Sequence, residues 1–264
     1  MNPRYIISAP AINAGLGNRI KCLVSCMSIS NQIEKSQLLL GWVQSANFNC
    51  QFHDLFDNEF LLYDDLKQQI NQDDQPKKFI NTWQLVSSLG ELSFNPKVKA
   101  SRPKRIDFKY HLIEPQIIQS FLEYFNQLKV KQSILDEVES FENKFDQNTI
   151  SVALRTWAGC EQREHMFKID NVYSILDRYP SAQFFVSCDS SQLLEQIQKR
   201  YDQQVLTYPL RTDRGERNSK EGIQDALIEL LLLSKNSKLK ASRVSTFSEV
   251  AWWFGGCKAE VELI

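Results

Sequence analysis

The sequence contains no hydrophobic run long enough to span a membrane. Its longest apolar stretch, residues 226–233, is interrupted by Glu229 and is far shorter than the roughly 20 residues that a transmembrane helix needs. The extended apolar core of a signal peptide is also missing, because only the short apolar segment 5–7 follows Met1. These absences favour a soluble protein with no transmembrane segment, located in the cytoplasm.

An excess of charge of either sign is missing as well. Lysine and arginine number 31 and aspartate and glutamate 32, which gives the 264-residue chain a formal net charge of -1. Such a balance offers no general attraction to nucleic acid, so no nucleic-acid partner is expected. An anionic ligand would have to be held by a local arrangement of side chains and backbone amides.

Cysteine pairs of the C-x-x-C type do not occur. The six cysteines stand apart in apolar or strand-like contexts. Cys22 and Cys26 are four residues apart on a predicted helix, but no second pair of cysteines or histidines stands nearby to complete a four-ligand site. We therefore expect buried free thiols in a reducing compartment and no metal site.

The second half of the chain shows a tight alternation of strand and helix patterns. Strands are predicted at residues 149–155 and 183–188 and near Val205 and Leu239. The predicted helices cover residues 169–179, 191–201, 220–234 and the segment after Thr246. This alternation predicts parallel strands connected by crossover helices.

The first half begins in the same way and then becomes irregular. A strand at 5–8, a helix at 18–31 and a strand at 37–43 precede a polar, irregular region from residue 47 to 101. Two further helices are predicted at 115–129 and 133–144, before the polar segment 143–148. We expect two α/β domains, residues 1–146 and 147–264, facing each other across a cleft, with ligands bound beyond the carboxyl ends of the strands.

A glycine-containing turn follows the first strand and opens the first helix. It contains Gly15, Gly17, Asn18 and Arg19. Two glycines allow a sharp turn, and the free amides of the helix N-terminus favour an anion. The same turn could be purely structural, and it lacks both the third glycine of a dinucleotide site and an acidic residue after the second strand.

Two strands of the second half end in charged residues. Arg155 closes the strand at 149–155, where its guanidinium could bind two phosphate oxygens, although a surface salt bridge is the alternative. Asp189 follows the strand at 183–188, and capping of the next helix is the alternative there.

A hydroxyl-rich turn precedes the last helix. Ser245, Thr246, Phe247 and Ser248 combine side-chain hydroxyls with the free amides of a helix N-terminus, as a phosphate site requires. The alternative is a capping box, which Thr246 and Glu249 fit better than Ser245 and Ser248.

The order and spacing of these motifs, together with Asp225 ahead of the apolar segment 230–233, resemble the fucosyltransferase superfamily. That superfamily includes the bacterial nodulation and α1,2 enzymes, the α1,6 enzymes and the protein O-fucosyltransferases. The resemblance covers nearly the whole chain. It implies a GT-B-like fold of two Rossmann-like domains, GDP-fucose as donor substrate, no cofactor, no metal requirement and inversion at the sugar carbon.

The resemblance also implies roles for individual residues. Arg155 looks like the arginine that holds the donor diphosphate, and Asp225 like the aspartate near the end of the donor pocket. Residues 246–248 look like the turn that contacts phosphate and base, and Asn18 like the asparagine that reaches the donor from the N-terminal domain. Ala153 departs from the pattern of the superfamily, because many members have histidine two residues before the arginine. The difference allows a donor with another base or another sugar.

The chemistry of such a transfer assigns two catalytic roles. Negative charge grows on the departing diphosphate, and Arg155 is the first choice to stabilise it. The acceptor, a glycan or another hydroxyl compound, must lose a proton, for which Glu164 is preferred over Glu161 and His165. Three alternatives remain open, namely a non-catalytic nucleotide-sugar-binding or glycan-binding relative, a transferase that uses a different nucleotide sugar, and a dinucleotide-dependent Rossmann enzyme.

Overall fold

The computed structural model describes residues 4–80, 113, 115–157, 160–161, 163–216 and 218–264. The chain divides into two compact units, Met1–Val130 and Lys131–Ile264, so the division falls earlier than the predicted boundary after residue 146. Residues 81–101 of the region predicted to be irregular lie outside the described residues.

The first unit contains a parallel four-stranded sheet. Its strands are β1 (Tyr5–Ser8), β2 (Gln37–Leu40), β3 (Leu61–Leu62) and β4 (Lys77–Ile80), in the order β3-β2-β1-β4. Its helices are α1 (Leu16–Gln32), α2 (Tyr63–Gln72) and α3 (Pro115–Asn126). Ile6 packs with α1 on one face of the sheet, and Ile7 packs with Leu39 and Ile70 on the other.

The prediction of an irregular region after residue 47 was partly wrong, because residues 61–80 form a strand, a helix and a second strand. The reason is a weak pattern. β3 has only two residues, and α2 buries only Ile70. Each element is too short or too polar to be recognised from its own sequence. The two strands are stabilised by parallel pairing, β4 with β1 and β3 with β2.

The second unit contains a parallel five-stranded sheet. Its strands are β5 (Ile150–Leu154), β6 (Phe184–Cys188), β7 (Val205–Leu206), β8 (Lys238–Ala241) and β9 (Glu260–Leu263), in the order β7-β6-β5-β8-β9. Its helices are α4 (Gln132–Glu142), α5 (Ile169–Leu176), α6 (Ser191–Tyr201), α7 (Lys220–Leu233) and α8 (Thr246–Phe254).

The alternation predicted for this half is confirmed, apart from β9, which the sequence analysis did not find. β5 and β6 are buried along their whole length, as expected for parallel strands covered on both faces. β9 carries two glutamates in four residues at the edge of the sheet, so it lacks the continuous apolar run of a central strand.

Helix α4 packs on the second unit, which explains where the chain divides. Phe141 of α4 contacts the rings of Phe185 and Tyr208 at 5.7 and 5.5 Å between centroids. The Glu142 carboxylate forms an ion pair with Lys235, just beyond α7, with 2.7 Å between Oε2 and Nζ. These contacts place residues 132–142 with the C-terminal sheet, although the sequence predicts them on the other side of the boundary.

The predicted α/β class with two parallel sheets is confirmed. In the described part of the chain, no helix is both long and apolar enough to cross a membrane. All six cysteines are free thiols, and two of them, Cys160 and Cys257, are only partly buried. Over the described ranges no group of three or more histidine, cysteine or acidic side chains is arranged to hold a metal ion.

Candidate functional site

A pocket of about 600 Å³, including its open mouth, lies at the carboxyl edge of the second sheet. The ends of β5 and β6, the loop 210–216, the inner face of α7 and the start of α8 line it. Four of the predicted site residues are among the lining residues, namely Arg155, Asp189, Ser245 and Phe247. The pocket stands where open α/β sheets usually bind their ligands.

Asp189 holds the ends of the two neighbouring strands together. One oxygen, Oδ2, is 2.5 Å from Nη1 of Arg155, and the other accepts the backbone N–H of Thr156 at 2.9 Å. The arginine side chain remains 31% exposed and lines the pocket. The alternative of Asp189 as a helix cap was wrong, because Ser190 caps α6 by accepting the N–H of Leu193.

Trp157 stands next to this ion pair in a strained conformation. Its φ is +60°, in the left-handed region that costs a bulky residue roughly 1–2 kcal/mol. The guanidinium of Arg155 lies 5.3 Å from the indole ring and that of Arg163 lies 4.7 Å from it, both within cation–π range.

The start of α8 forms another part of the pocket lining. Ser245 caps the helix, since its Oγ accepts the N–H of Ser248 at 3.3 Å and lies 2.9 Å from the Ser248 hydroxyl. The preference for Thr246 as the cap was therefore wrong. The turn before the cap is strained, because Val244 is β-branched and has a φ of +58°.

Two predicted residues of this turn do not line the pocket. Ser248 is fully buried and its hydroxyl is used within the turn, while the Thr246 side chain is half-buried beside it. Of the first four amides of α8, those of Ser248 and Glu249 bond to Ser245, whereas Thr246 and Phe247 have no backbone acceptor among the described residues. The free amides of the turn, more than its hydroxyls, are available to a ligand.

Asp225, expected near the end of the donor pocket, lies on α7 next to Ala226, which lines the pocket. It is 1% exposed on α7 and does not line the pocket. Its carboxylate accepts the backbone N–H of Arg211 and the Nε of the same residue, each at 2.6 Å. Asp225 therefore anchors the loop that forms the pocket wall.

A second ion pair, which the sequence analysis missed, anchors the same loop. Arg214, only 9% exposed, donates to Glu229 at 3.0 Å and to the Cys188 carbonyl at 3.2 Å. Ser187 donates to the other oxygen of Glu229 at 2.9 Å. Burial raises the pKa of Glu229, while Arg214 and Ser187 act in the opposite direction. Unlike Asp225, Glu229 lines the pocket.

Glycine is required at two points of this wall. Gly215 has a φ of +85°. At Gly222, an added Cβ would come within 2.9 Å of the Thr212 hydroxyl and 3.0 Å of the Glu216 carbonyl. The polar, glycine-containing run between β7 and α7 was the available signal for this part of the pocket, since it follows a strand of the sheet.

The predicted general base is not part of the pocket lining. Glu164 begins a short 3-10 helix, Glu164–Met166, and it is exposed, as are the alternatives Glu161 and His165. The exposed carboxylates that do line the pocket are Asp213 and Glu216.

The glycine turn belongs to the first unit, at the start of α1. Gly15 precedes the helix with a φ of −75°, an extended conformation open to any residue, so sharp turning does not explain this glycine. Gly17 is buried and Asn18 is exposed in the first turn, and no side chain caps the helix.

Arg19, one of the residues expected to bind the donor, is turned inward. It is fully buried, with Nε bonded to the Ala14 carbonyl at 2.9 Å and Nη2 to the Ile12 carbonyl at 3.2 Å. Its guanidinium lies 4.0 Å from the ring of Phe48, and burial lowers its pKa to about 10. Arg19 holds its own loop in shape.

The structure is similar to solved fucosyltransferases. The α-1,6-fucosyltransferase NodZ, known from Bradyrhizobium, is similar in its form soaked with GDP-fucose, with a TM-score of 0.61, 18% identity, and 96% of this chain and 93% of that chain covered. A mutant of Arabidopsis thaliana FUT1 in complex with GDP gives 0.59 at 16% identity, covering 99% and 70%. POFUT1 without ligand gives 0.53 at 11% identity, covering 100% and 99%.

This chain has the fold of fucosyltransferases. The resemblance found in the sequence is thereby confirmed at the level of the fold. No protein-family model matches the sequence. No curated protein is significantly similar to it in sequence either.

Replacing Glu229 by glutamine should loosen the pocket wall. The change leaves the buried Arg214 without a carboxylate, and breaking a buried pair in this way costs about 3 kcal/mol of unfolding free energy. Urea denaturation measures the loss. Glu221→Gln, at an exposed position of the same helix, is the control and should stay within about 0.5 kcal/mol. Equal stability of the two variants would contradict the anchoring role.

Proposed function

We propose that this protein is an inverting, metal-independent glycosyltransferase that transfers fucose from GDP-fucose to a hydroxyl group of a glycan or another acceptor. The observation that carries the proposal is that Arg155 and the N-terminal turn of α8 line the same pocket at the carboxyl edge of a parallel sheet. The fold shared with fucosyltransferases whose structures contain GDP or GDP-fucose supports the choice of donor.

The arrangement suits a diphosphate leaving group. Arg155 lines the pocket as a partly exposed cation, and the amides of Thr246 and Phe247 stand at the positive end of the α8 dipole. As the bond between sugar and phosphate breaks, charge accumulates on the diphosphate. Donors that are already in position stabilise this charge without reorganisation, so the chain's own groups can replace a metal ion.

The polar groups of the pocket also suit a guanine base. Guanine carries a carbonyl acceptor and an amino group, and an acidic side chain can accept from such an amino donor. Glu229 lines the pocket from α7, where Ser187 and Arg214 each donate to one of its oxygens, and each oxygen can accept a second hydrogen bond. The donor-binding roles of Gly15, Gly17, Asn18 and Arg19 and the catalytic role of Glu164 stay predictions.

The first test is a thermal-shift panel of nucleoside diphosphates and their sugars. A ligand that binds only the folded state raises its stability by about 2.7 kcal/mol at 100 times its dissociation constant. GDP and GDP-fucose should raise the melting temperature, and ADP, UDP and NAD should raise it much less. If another nucleoside diphosphate raised the melting temperature more than GDP, the proposed base would change to the base of that nucleotide. If NAD raised it more than GDP, a dinucleotide-dependent enzyme would be favoured.

Arg155→Ala should lower turnover on the order of 100-fold or more, because the departing charge loses its main cationic donor. The assay is release of GDP from GDP-fucose in the presence of glycan acceptors. Arg200→Ala is the control, since Arg200 pairs with Asp177 on the surface and does not line the pocket. Turnover that survives the change at Arg155 would remove this residue from the mechanism. A wild-type protein that binds GDP without any turnover would support a non-catalytic nucleotide-sugar-binding protein.

Chelation should leave the rate unchanged. The proposal assigns charge stabilisation to Arg155 and backbone amides, so EDTA in excess over any divalent ion should not slow GDP release. Adding Mg²⁺ or Mn²⁺ after chelation should restore nothing. A rate that collapses with EDTA and returns with a divalent ion would contradict metal independence.

A further inference from the structure

Asp189 restrains only one side of Arg155. Its carboxylate contacts Nη1, and the guanidinium remains about a third exposed at the end of a long side chain. An exposed ion pair of this kind leaves much of the rotational freedom of an arginine in place. A second contact is needed to fix the direction in which the free donors point.

The ring of Trp157 supplies that contact. It lies 5.3 Å from the Arg155 guanidinium, so the planar cation and the indole are close enough to restrict each other. Arg163 holds the indole in turn, at 4.7 Å, and has no carboxylate partner among the described residues. The ring is therefore within cation–π range of both the pocket arginine and a second cation.

The backbone indicates that this placement is specific. Trp157 has a φ of +60°, which glycine or asparagine would adopt more easily. A bulky residue in this region persists only where its surroundings determine it, and such residues concentrate at functional sites. The residue before it, Thr156, donates its N–H to the same Asp189 that pairs with Arg155. One carboxylate thus fixes both the arginine and the approach of the chain to Trp157.

We propose that Trp157 is a positioning residue that holds the Arg155 guanidinium in the direction required by the diphosphate. The inference rests on the proposed function for the identity of the ligand, and on the geometry of residues 155–157 and Asp189 for the rest. Trp157 acts through Arg155, since the indole itself is not among the residues that line the pocket.

The test compares how strongly each variant prefers a nucleoside diphosphate over its monophosphate. The dissociation constant of GMP divided by that of GDP, both measured calorimetrically, reports contacts to the second phosphate. Trp157→Ala should lower the ratio roughly 2- to 30-fold, the range expected from loss of a cation–π contact. Trp157→Phe keeps a ring and should restore most of the ratio. Tyr173→Ala is the matched control, because it removes a ring at 4.4 Å from Arg200 on another part of the unit.

Two further variants separate positioning from folding and from direct contact. Trp157→Gly removes the ring but relieves the backbone, so it should fold at least as stably as Trp157→Ala and still lower the ratio. In an Arg155→Ala background, removing the ring should change the ratio no further. An unchanged ratio in both single variants would reduce Trp157 to a structural residue, and a further fall in the double variant would show that the ring contacts the ligand itself.

A measurement without nucleotide separates this inference from the proposed function. The side-chain Nε–H of Arg155, assigned by its loss in Arg155→Ala, should show a lower heteronuclear NOE in Trp157→Ala than in the wild type and in Trp157→Phe. If GDP fails to bind while this difference is found, the proposed function fails and the positioning role stands. If GDP binds and the arginine is equally ordered in all variants, the positioning role fails alone.

Discussion

The carboxylate of Asp189 is the constraint on which the site depends. It stands where β6 ends and accepts both the Arg155 guanidinium and the N–H of Thr156, where β5 ends. Parallel pairing brings these two strand ends to the same edge, with Leu154 opposite Cys188 in the ladder. A charge that would otherwise be a mobile surface cation is thereby tied to the most buried part of the sheet. The place of Arg155 at this edge of the pocket follows from this contact.

The loop between β7 and α7 is also held by ion pairs with buried carboxylates. Arg211 and Arg214 each pair with a buried carboxylate of α7, Asp225 and Glu229. A loop of polar residues has little apolar surface to bury, so charged hydrogen bonds take over the role that packing has elsewhere. Because such pairs are costly when broken, they favour one loop conformation over alternatives. The two carboxylates differ in their relation to a ligand, since Glu229 lines the pocket and Asp225 does not.

The sequence predicted most of the second unit and four of the sixteen residues that line its pocket. Buried parallel strands are apolar throughout, so Arg155 and Asp189 stood out as charges at their ends, and their proximity follows from parallel pairing. Glu229 could not be recognised in the same way, because inside an apolar helix it looks like a single interruption until its distant partner Arg214 is known. In the first unit, β3 and α2 were missed because their stability comes from pairing and packing more than from local pattern.

The positive charge of this pocket is offset by carboxylates, which bears on how the pocket would act on an anion. Arg155 is paired with Asp189 and Arg214 with Glu229, the exposed Asp213 and Glu216 add negative charge to the lining, and the chain as a whole carries a net charge of only -1. Long-range attraction of an anionic ligand is therefore weak. The site acts mainly through hydrogen-bond donors held in place at the end of β5 and at the start of α8. Fixed donors stabilise charge that develops during a reaction more than charge already present, because no reorganisation is needed at that moment. The strained backbone at Trp157 and Val244, each within two residues of the pocket lining, is consistent with a site in which fixed geometry takes precedence over local stability.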